Sequence, residues 1–135
     1  MLRQLNITDL LAGIKQRIEA GTDLTAYDHV PENEPSPLVF LEFVQSEPAD
    51  TKTMFCKLYT VYLHVIAEVS KSSVPVNDYI QAVQEAMTED IELPPCVHLV
   101  WTSDDGVQTI KEDETGEKHA VLAYTFKIAY GFKTK

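Results

Sequence analysis

Hydrophobic and polar residues alternate along two unusually long stretches of the chain. Residues 54–69 read MFCKLYTVYLHVIAEV, and residues 119–132 read HAVLAYTFKIAYGF. Alternation with a period of two predicts β-strands, and both stretches are far longer than the usual strand of about five or six residues. A third stretch, LVFLEFV at residues 38–44, is apolar at odd and even positions alike, which predicts a strand covered on both faces, by helices or by a neighbouring subunit.

Two further segments have the three- and four-residue hydrophobic spacing that is typical of amphipathic helices. In the first, Asn6 or Thr8 is predicted to cap the start, and Gly21 is predicted to end the helix. In the second, Pro75 suits the first helical turn. The predicted buried faces consist of Ile7, Leu10, Leu11, Ile14 and Ile18 in the first helix and Val76, Ile80, Val83 and Met87 in the second.

Polar, turn-rich segments separate these elements. Loops are predicted at PENEPSP (31–37), QSEPADTKT (45–53) and EDETGEK (112–118). The Asp-Asp-Gly sequence at residues 104–106 is a further turn signal, so CVHLVWTS (96–103) and the short VQTIK after it are predicted to be separate strands. The order is helix, two or three strands, helix, then three strands. It predicts a single α+β domain over residues 1–135, with a mainly antiparallel β-sheet packed with two α-helices.

Composition agrees with this fold and narrows the function. A chain of 135 residues fits one domain. The net charge of −10 disfavours specific binding to nucleic acid, because the chain repels phosphate groups. No apolar run is long enough to span a membrane, and the N-terminal segment lacks the continuous apolar core of a signal peptide. We therefore expect no membrane association and a subunit that stays in the cytoplasm where it is made.

Residues that could support catalysis or metal binding are not grouped along the sequence. Cys56 and Cys96 each lie in an apolar run, which predicts two buried thiols rather than a disulfide. The positions of His64 and His98 within strands would allow them to face each other across a sheet, but the four histidines lie on separate elements: His29, His64, His98 and His119. The acidic run at 104–117 lacks the ligand order of a calcium loop. We expect a protein that is not an enzyme and that has neither cofactor nor metal site.

The order of elements resembles that of a known family. An N-terminal amphipathic helix precedes a proline-containing loop and the strand PLVFLEF, the long strand KLYTVYLHVIAEV leads into the helix VNDYIQAVQEAM, and the chain ends in HAVLAYTFKIAYGF. Over nearly its whole length the chain resembles the tail completion proteins of long-tailed bacteriophages, also called tail terminators or head–tail joining proteins. The most similar parts are residues 37–43, 59–65 and 121–128, whereas the acidic segment 112–117 is a departure.

This resemblance implies a structural protein of the virion that forms a ring, typically a hexamer, at the end of the tail tube. The ring would join the tail to the head connector, so the implied partners are other copies of the chain, the tail tube protein and the head–tail connector protein. DNA would pass through the lumen without specific binding. The implied location is the tail or neck of the virion, reached from the host cytoplasm.

The polar loops are the predicted contact sites, because loops of this kind are free to meet other proteins. The predicted contact residues are Glu32, Glu34, Gln45, Glu47, Asp50, Lys52, Glu112, Asp113, Glu114 and Lys118. Two other interpretations stay open at this point. One is a small cytoplasmic α+β domain that binds a ligand or a peptide, and the other is a small enzyme that depends on Cys56 or Cys96.

Overall fold

The computed structural model describes residues 1–31 and 33–133 of the chain. The elements follow in the order α1 (Ile7–Gly21), β1 (Ala26–Tyr27), β2 (Leu38–Pro48), β3 (Met54–Ala67), α2 (Val74–Ala86), β4 (His98–Glu112) and β5 (Lys118–Phe132). The strands form one sheet in the spatial order β1-β2-β3-β5-β4. All pairs are antiparallel except the short parallel pair of β1 with β2. The predicted α+β class, with two helices and a mainly antiparallel sheet, is confirmed.

The two long strands predicted from the alternating pattern are neighbours at the centre of the sheet. β3 and β5 pair from Met54 opposite Phe132 to Ala67 opposite Lys118. Fourteen residues of β3 span roughly 45 Å at about 3.3 Å per residue. Because side chains alternate between the faces of a sheet, this register places Val61 beside Tyr124 and Leu63 beside Leu122 on one face.

Both helices cover this same face, here called the helix-covered face. Its buried residues form one core with the apolar stripes of the helices. The predicted stripe of Val76, Ile80, Val83 and Met87 is buried as expected, with Met87 at the C-terminal cap of α2. In α1 the buried residues are Leu10, Gly13, Ile14 and Ile18, whereas Ile7 at the first turn is 39% exposed. Asn6 caps α1 by accepting a hydrogen bond from the Thr8 backbone N–H at 2.8 Å, and the helix ends at Gly21 as predicted.

The opposite face of the sheet, here called the open face, carries no helix. Phe40 and Tyr62 are half-buried there, and Glu42 and Val44 in β2 are exposed. Within the described chain, the helices cover residues 38–44 on one face only. Cover of the open face by a neighbouring subunit stays a prediction.

β4 is longer than predicted and is not a hairpin. Residues 98–112 form one strand along β5, and residues 104–106 lie at a bulge where the pairing shifts by one residue. Gly106 has a φ of +92°, which suits glycine in a bulge as well as in a turn. The prediction of two strands separated by a turn is therefore wrong, and two strands, not three, follow α2.

Two predicted loops also have different bounds in the structure. β2 continues to Pro48, so Gln45 and Glu47 belong to a strand, and the turn between β2 and β3 is limited to residues 49–53. Residues 113–117 do form the predicted acidic turn, with Gly116 at a φ of +89°. Within the described residues, neither helix has the length and apolar content needed to cross a bilayer.

Gly13 allows α1 to lie close to the segment that follows α2. A Cβ atom at this position would come within 2.5 Å of the Glu92 backbone carbonyl oxygen. We predict that Gly13→Ala lowers the free energy of unfolding by about 1–3 kcal/mol through overpacking, although alanine raises helix propensity by about 1 kcal/mol. Urea unfolding measures the difference. Gln16→Ala on the exposed side of α1 is the control and should change stability by less than about 0.5 kcal/mol. A higher urea midpoint for Gly13→Ala would contradict the close packing.

Candidate assembly surface

The predicted contact residues of β2 and its following turn lie at one end of the sheet, here called the β2–β3 end (residues 45–54). Gln45 and Glu47 are exposed on the open face of β2. The Asp50 carboxylate already has partners within the chain. Its Oδ1 accepts a hydrogen bond from the Cys56 backbone N–H at 3.0 Å, and its Oδ2 lies 3.7 Å from Lys133 Nζ. Lys52 is exposed in the turn. Gln45, Glu47 and Lys52 are therefore the side chains free to meet another molecule.

The second group lies at the β4–β5 end (residues 112–118), and its members divide into two kinds. Asp113 holds the turn, because its Oδ1 accepts the Thr115 backbone N–H at 3.0 Å, the Thr115 hydroxyl at 2.6 Å and the Glu117 N–H at 3.2 Å. The bond from the Thr115 hydroxyl is the main cause that lowers the pKa of Asp113. Lys118 is also structural, since its Nζ donates to the Ser70 carbonyl at 2.7 Å. Glu112 and Glu114 are exposed, and Glu112 Oε1 lies 3.6 Å from Lys118 Nζ.

The remaining predicted contact residues precede β2. Glu34 is tied to the fold rather than presented to a partner, because its Oε1 accepts a hydrogen bond from the Tyr27 hydroxyl at 2.7 Å. The same bond raises the pKa of Tyr27. Glu32 lies outside the described residues.

The two groups lie at opposite ends of the sheet. β2 and β3 meet at residues 48–54, beside Phe132, the last residue of β5. The turn of β4 and β5 lies instead beside Ala67, the last residue of β3. The length of β3, roughly 45 Å, therefore separates the two turns. One copy presents two distinct tips, which point in opposite directions along the strands.

The outer edge of β4 is a feature that the sequence pattern did not reveal. β4 is an end strand of the sheet and spans 15 residues, so one side of its backbone has no strand beside it within the described chain. Four large apolar residues along this strand are each 39–49% exposed: Val100, Trp101, Val107 and Ile110. Long apolar edges of this kind pair readily with another strand.

A network of hydrogen bonds holds β4 against β5 at its central bulge. Asp104 Oδ1 accepts the Gly106 backbone N–H at 2.8 Å, and Asp104 Oδ2 accepts the Tyr124 hydroxyl at 3.2 Å. The Thr125 hydroxyl donates to Asp105 Oδ2 at 2.5 Å. Burial first and the neighbouring Asp104 carboxylate second raise the pKa of Tyr124. These contacts reach from β5 to the Asp-Asp-Gly sequence, so β4 continues where the local sequence indicated a turn.

The open face carries a polar cluster of Glu42, His64 and His119. His64 Nε2 lies 2.6 Å from Glu42 Oε1, and His64 Nδ1 lies 2.8 Å from His119 Nε2. The expectation that His64 faces His98 is wrong, because β5 separates β3 from β4 and His98 instead lies opposite Ala129. Burial first and the neighbouring His64 second lower the pKa of His119. The 2.8 Å distance between His64 Nδ1 and His119 Nε2 fits a hydrogen bond in which one ring nitrogen donates to the other. If both rings were protonated, their positive charges would repel each other.

The cysteines do not form a reactive pair with these histidines. Cys56 is fully buried in β3, as predicted, whereas Cys96 is exposed just before β4. The prediction of a buried Cys96 is wrong because strand pairing begins only at His98, after the two prolines. Within residues 1–31 and 33–133, no three histidine, cysteine, aspartate or glutamate side chains are arranged to hold a metal ion.

Comparison with known proteins gives one family and a set of solved structures with a similar fold. The model of the family described as "Putative tail termination protein", a phage tail terminator family, matches residues 1–135. A chain of the solved structure "Virion of native gene transfer agent (GTA) particle" superposes with a TM-score of 0.66. It is 19% identical, and the match covers 91% of this chain and 96% of that one. At this identity the superposition shows a shared fold. No curated protein matches the chain.

The histidine cluster makes the stability of the subunit depend on pH. Because the pKa of His119 is lowered by folding, the unfolded chain binds its proton more readily than the folded chain. We therefore predict that the free energy of unfolding falls as the pH drops from about 7.5 to about 5.5, through the ordinary histidine pKa near 6.5. Urea unfolding at several pH values measures this slope.

His119→Gln is expected to reduce that slope, because it removes the group whose proton affinity changes on folding. His98→Gln is the matched control, since His98 is exposed at the start of β4, and it should keep the wild-type slope. Other charged groups near His119 are His64, Asp113 and Lys111, and they are unchanged in both variants. Equal slopes in the wild type and His119→Gln would contradict this role of His119.

Proposed function

The chain belongs to the phage tail terminator family and is a structural protein of the virion tail, and from this premise we propose that it closes into a ring that joins tail to head. The ring, of six copies, forms at the end of the tail tube and binds the head connector. Before assembly the subunit is free in the host cytoplasm. The chain itself carries out no reaction in this role and needs no cofactor.

The observation that carries this proposal is the placement of the two polar tips. Residues 49–53 and 113–117 lie at opposite ends of a sheet whose central strands span 14 and 15 residues. In a ring whose axis runs along the strands, all copies present the first tip on one side and the second on the other. Such a ring can bind two different partners at once, which a joint between tail tube and connector requires.

Charge supports the same role. Each copy carries a net charge of −10, so a ring of copies has a large negative charge that disfavours binding to the phosphates of DNA. DNA is then able to pass through the lumen without being held. The β4–β5 end is the more acidic of the two tips, since Glu112, Glu114 and Glu117 accompany Asp113 there. We therefore assign to this end a partner surface that is rich in lysine or arginine.

Assembly state is the first test of the ring. We predict that light scattering and electron microscopy show rings of the purified chain, either free or after tail tubes are added. Rings that appear only with tubes are consistent with the proposal, because the tube end then acts as the template. A protein that stays monomeric and also fails to bind tubes would contradict it.

The acidic tip is tested by charge reversal that keeps the Asp113 hydrogen bonds of its turn and removes only the exposed ion pair of Glu112 with Lys118. In the variant Glu112→Lys with Glu114→Lys, Asp113 is kept because its carboxylate holds the turn. We predict that the yield of joined particles falls roughly tenfold, equivalent to about 1.4 kcal/mol of lost binding free energy. The loss follows because the new lysines would repel the basic partner surface. Mixing heads and tails in vitro and counting joined particles measures the effect.

A matched control separates this effect from net charge. Asp78→Lys with Glu85→Lys makes the same change in charge on exposed positions of α2. This control should give wild-type yields of joined particles, and circular dichroism should show both variants folded. Wild-type joining by the variant at Glu112 and Glu114 would show that this tip makes no essential contact.

A further inference from the structure

The sheet has two unpaired edges, not one. β1 pairs with β2 only at Val39 and Phe40, so the outer side of the rest of β2, residues 41–48, faces no strand in the described chain. The other unpaired edge is β4. The two edges differ in sequence and lie on opposite sides of the sheet. Contacts between two different surfaces of identical copies build rings or filaments rather than dimers.

From these edges we infer that β4 of one copy pairs with the outer edge of β2 of the next copy. The inference rests on the proposed ring and adds the surfaces that hold it together. The partner is a second copy of this chain, and the contact is a ladder of backbone hydrogen bonds that continues the sheet across the boundary between subunits.

Strand direction supports this pairing. β2, β3, β5 and β4 alternate in direction, because each of the three neighbouring pairs is antiparallel. In a ring whose axis runs along the strands, every copy keeps the same strand directions. β4 of one copy is then antiparallel to β2 of the next, so the alternation continues without interruption. The alternation continues because each copy contributes an even number of long strands, namely four. An odd number would bring parallel strands together at each boundary.

The side chains along the two edges are also suited to pairing. In β4, Val107 is 39% exposed and Ile110 is 49% exposed. In β2, Val44 is 39% exposed. Soluble proteins commonly protect long edge strands with lysines or other charges. β4 carries Lys111 and Glu112 at its end and Asp104 and Asp105 at its centre, where the two aspartates accept hydrogen bonds from β5. Trp101 and Val107 lie exposed on either side of these aspartates. Exposure of this kind is expected if another strand covers the edge in the assembled ring.

Lysine substitutions test the two edges directly. Val107→Lys and Val44→Lys, made separately, each place a charge on one proposed edge without disturbing the core. Both are expected to remain folded and to reduce the amount of ring roughly tenfold, as expected when a charge blocks edge pairing. Val74→Lys is the matched control, because Val74 is 59% exposed at the start of α2, away from both edges. It should assemble normally.

Cysteine cross-linking identifies the strands that meet. Gln45, Thr60, Thr125 and Ser103 lie in one row across the open face. Gln45→Cys is combined with one cysteine at Trp101, Ser103 or Thr109, all with Cys96→Ser. We expect mild oxidation of at least one combination to give a ladder of covalently linked copies that ends at the ring size, because disulfides require Cβ atoms within about 4.5 Å. Gln45→Cys with Val107→Cys is the control, since these side chains lie on opposite faces.

The outcomes separate this inference from the proposed function. If the wild type forms rings but Val107→Lys and Val44→Lys form them equally well, the pairing of these edges is wrong and the ring proposal stands. A dimer broken by Val107→Lys alone would indicate pairing of two β4 strands and would also overturn the inference. If the wild type neither forms rings nor binds tail tubes, the proposed function itself fails.

Discussion

The pairing of β3 with β5 is the interaction on which the rest of the structure depends. It runs in nearly continuous register from Met54 opposite Phe132 to Ala67 opposite Lys118. This register aligns Val61, Leu63 and Val65 with their partners in β5 and so builds the apolar face on which both helices pack. A slip of one residue would turn these side chains to the open face. The same pairing sets the distance between the two polar tips, so the fold and the geometry proposed for assembly have one origin.

Sequence alone predicts most of this architecture, because period-two and helical patterns are strong where one face is buried. It fails where a contact distant in sequence decides the local structure. Asp104, Asp105 and Gly106 have the composition of a turn, and contacts from Tyr124 and Thr125 make them a bulge within β4. Gln45–Pro48 have the composition of a loop, yet they continue β2. A proline is tolerated in a strand where its missing N–H faces an open edge.

The candidate site is predictable only in part for the same reason. Residues near the two turns are correctly placed at the surface, but their hydrogen bonds cannot be read from composition. Asp113 stabilises the acidic turn, Lys118 donates to the Ser70 carbonyl, and Glu34 binds Tyr27. Fewer side chains are therefore free for partners. The unpaired edges of β2 and β4 become visible only when the strand order is known. Assembly surfaces made of backbone have little signature in sequence, because any strand can present them.

Three properties are combined in one subunit: two tips at opposite ends, two unpaired edges on opposite sides of the described sheet, and a strongly negative net charge. Electron cryo-microscopy of tails assembled with this chain tests their combination most directly. We predict a ring of copies at the head-proximal end of the tube, with β4 of each copy beside β2 of the next and the strands running along the axis. A subunit found elsewhere in the tail, or a ring held together through the helices with both edges facing solvent, would contradict the account.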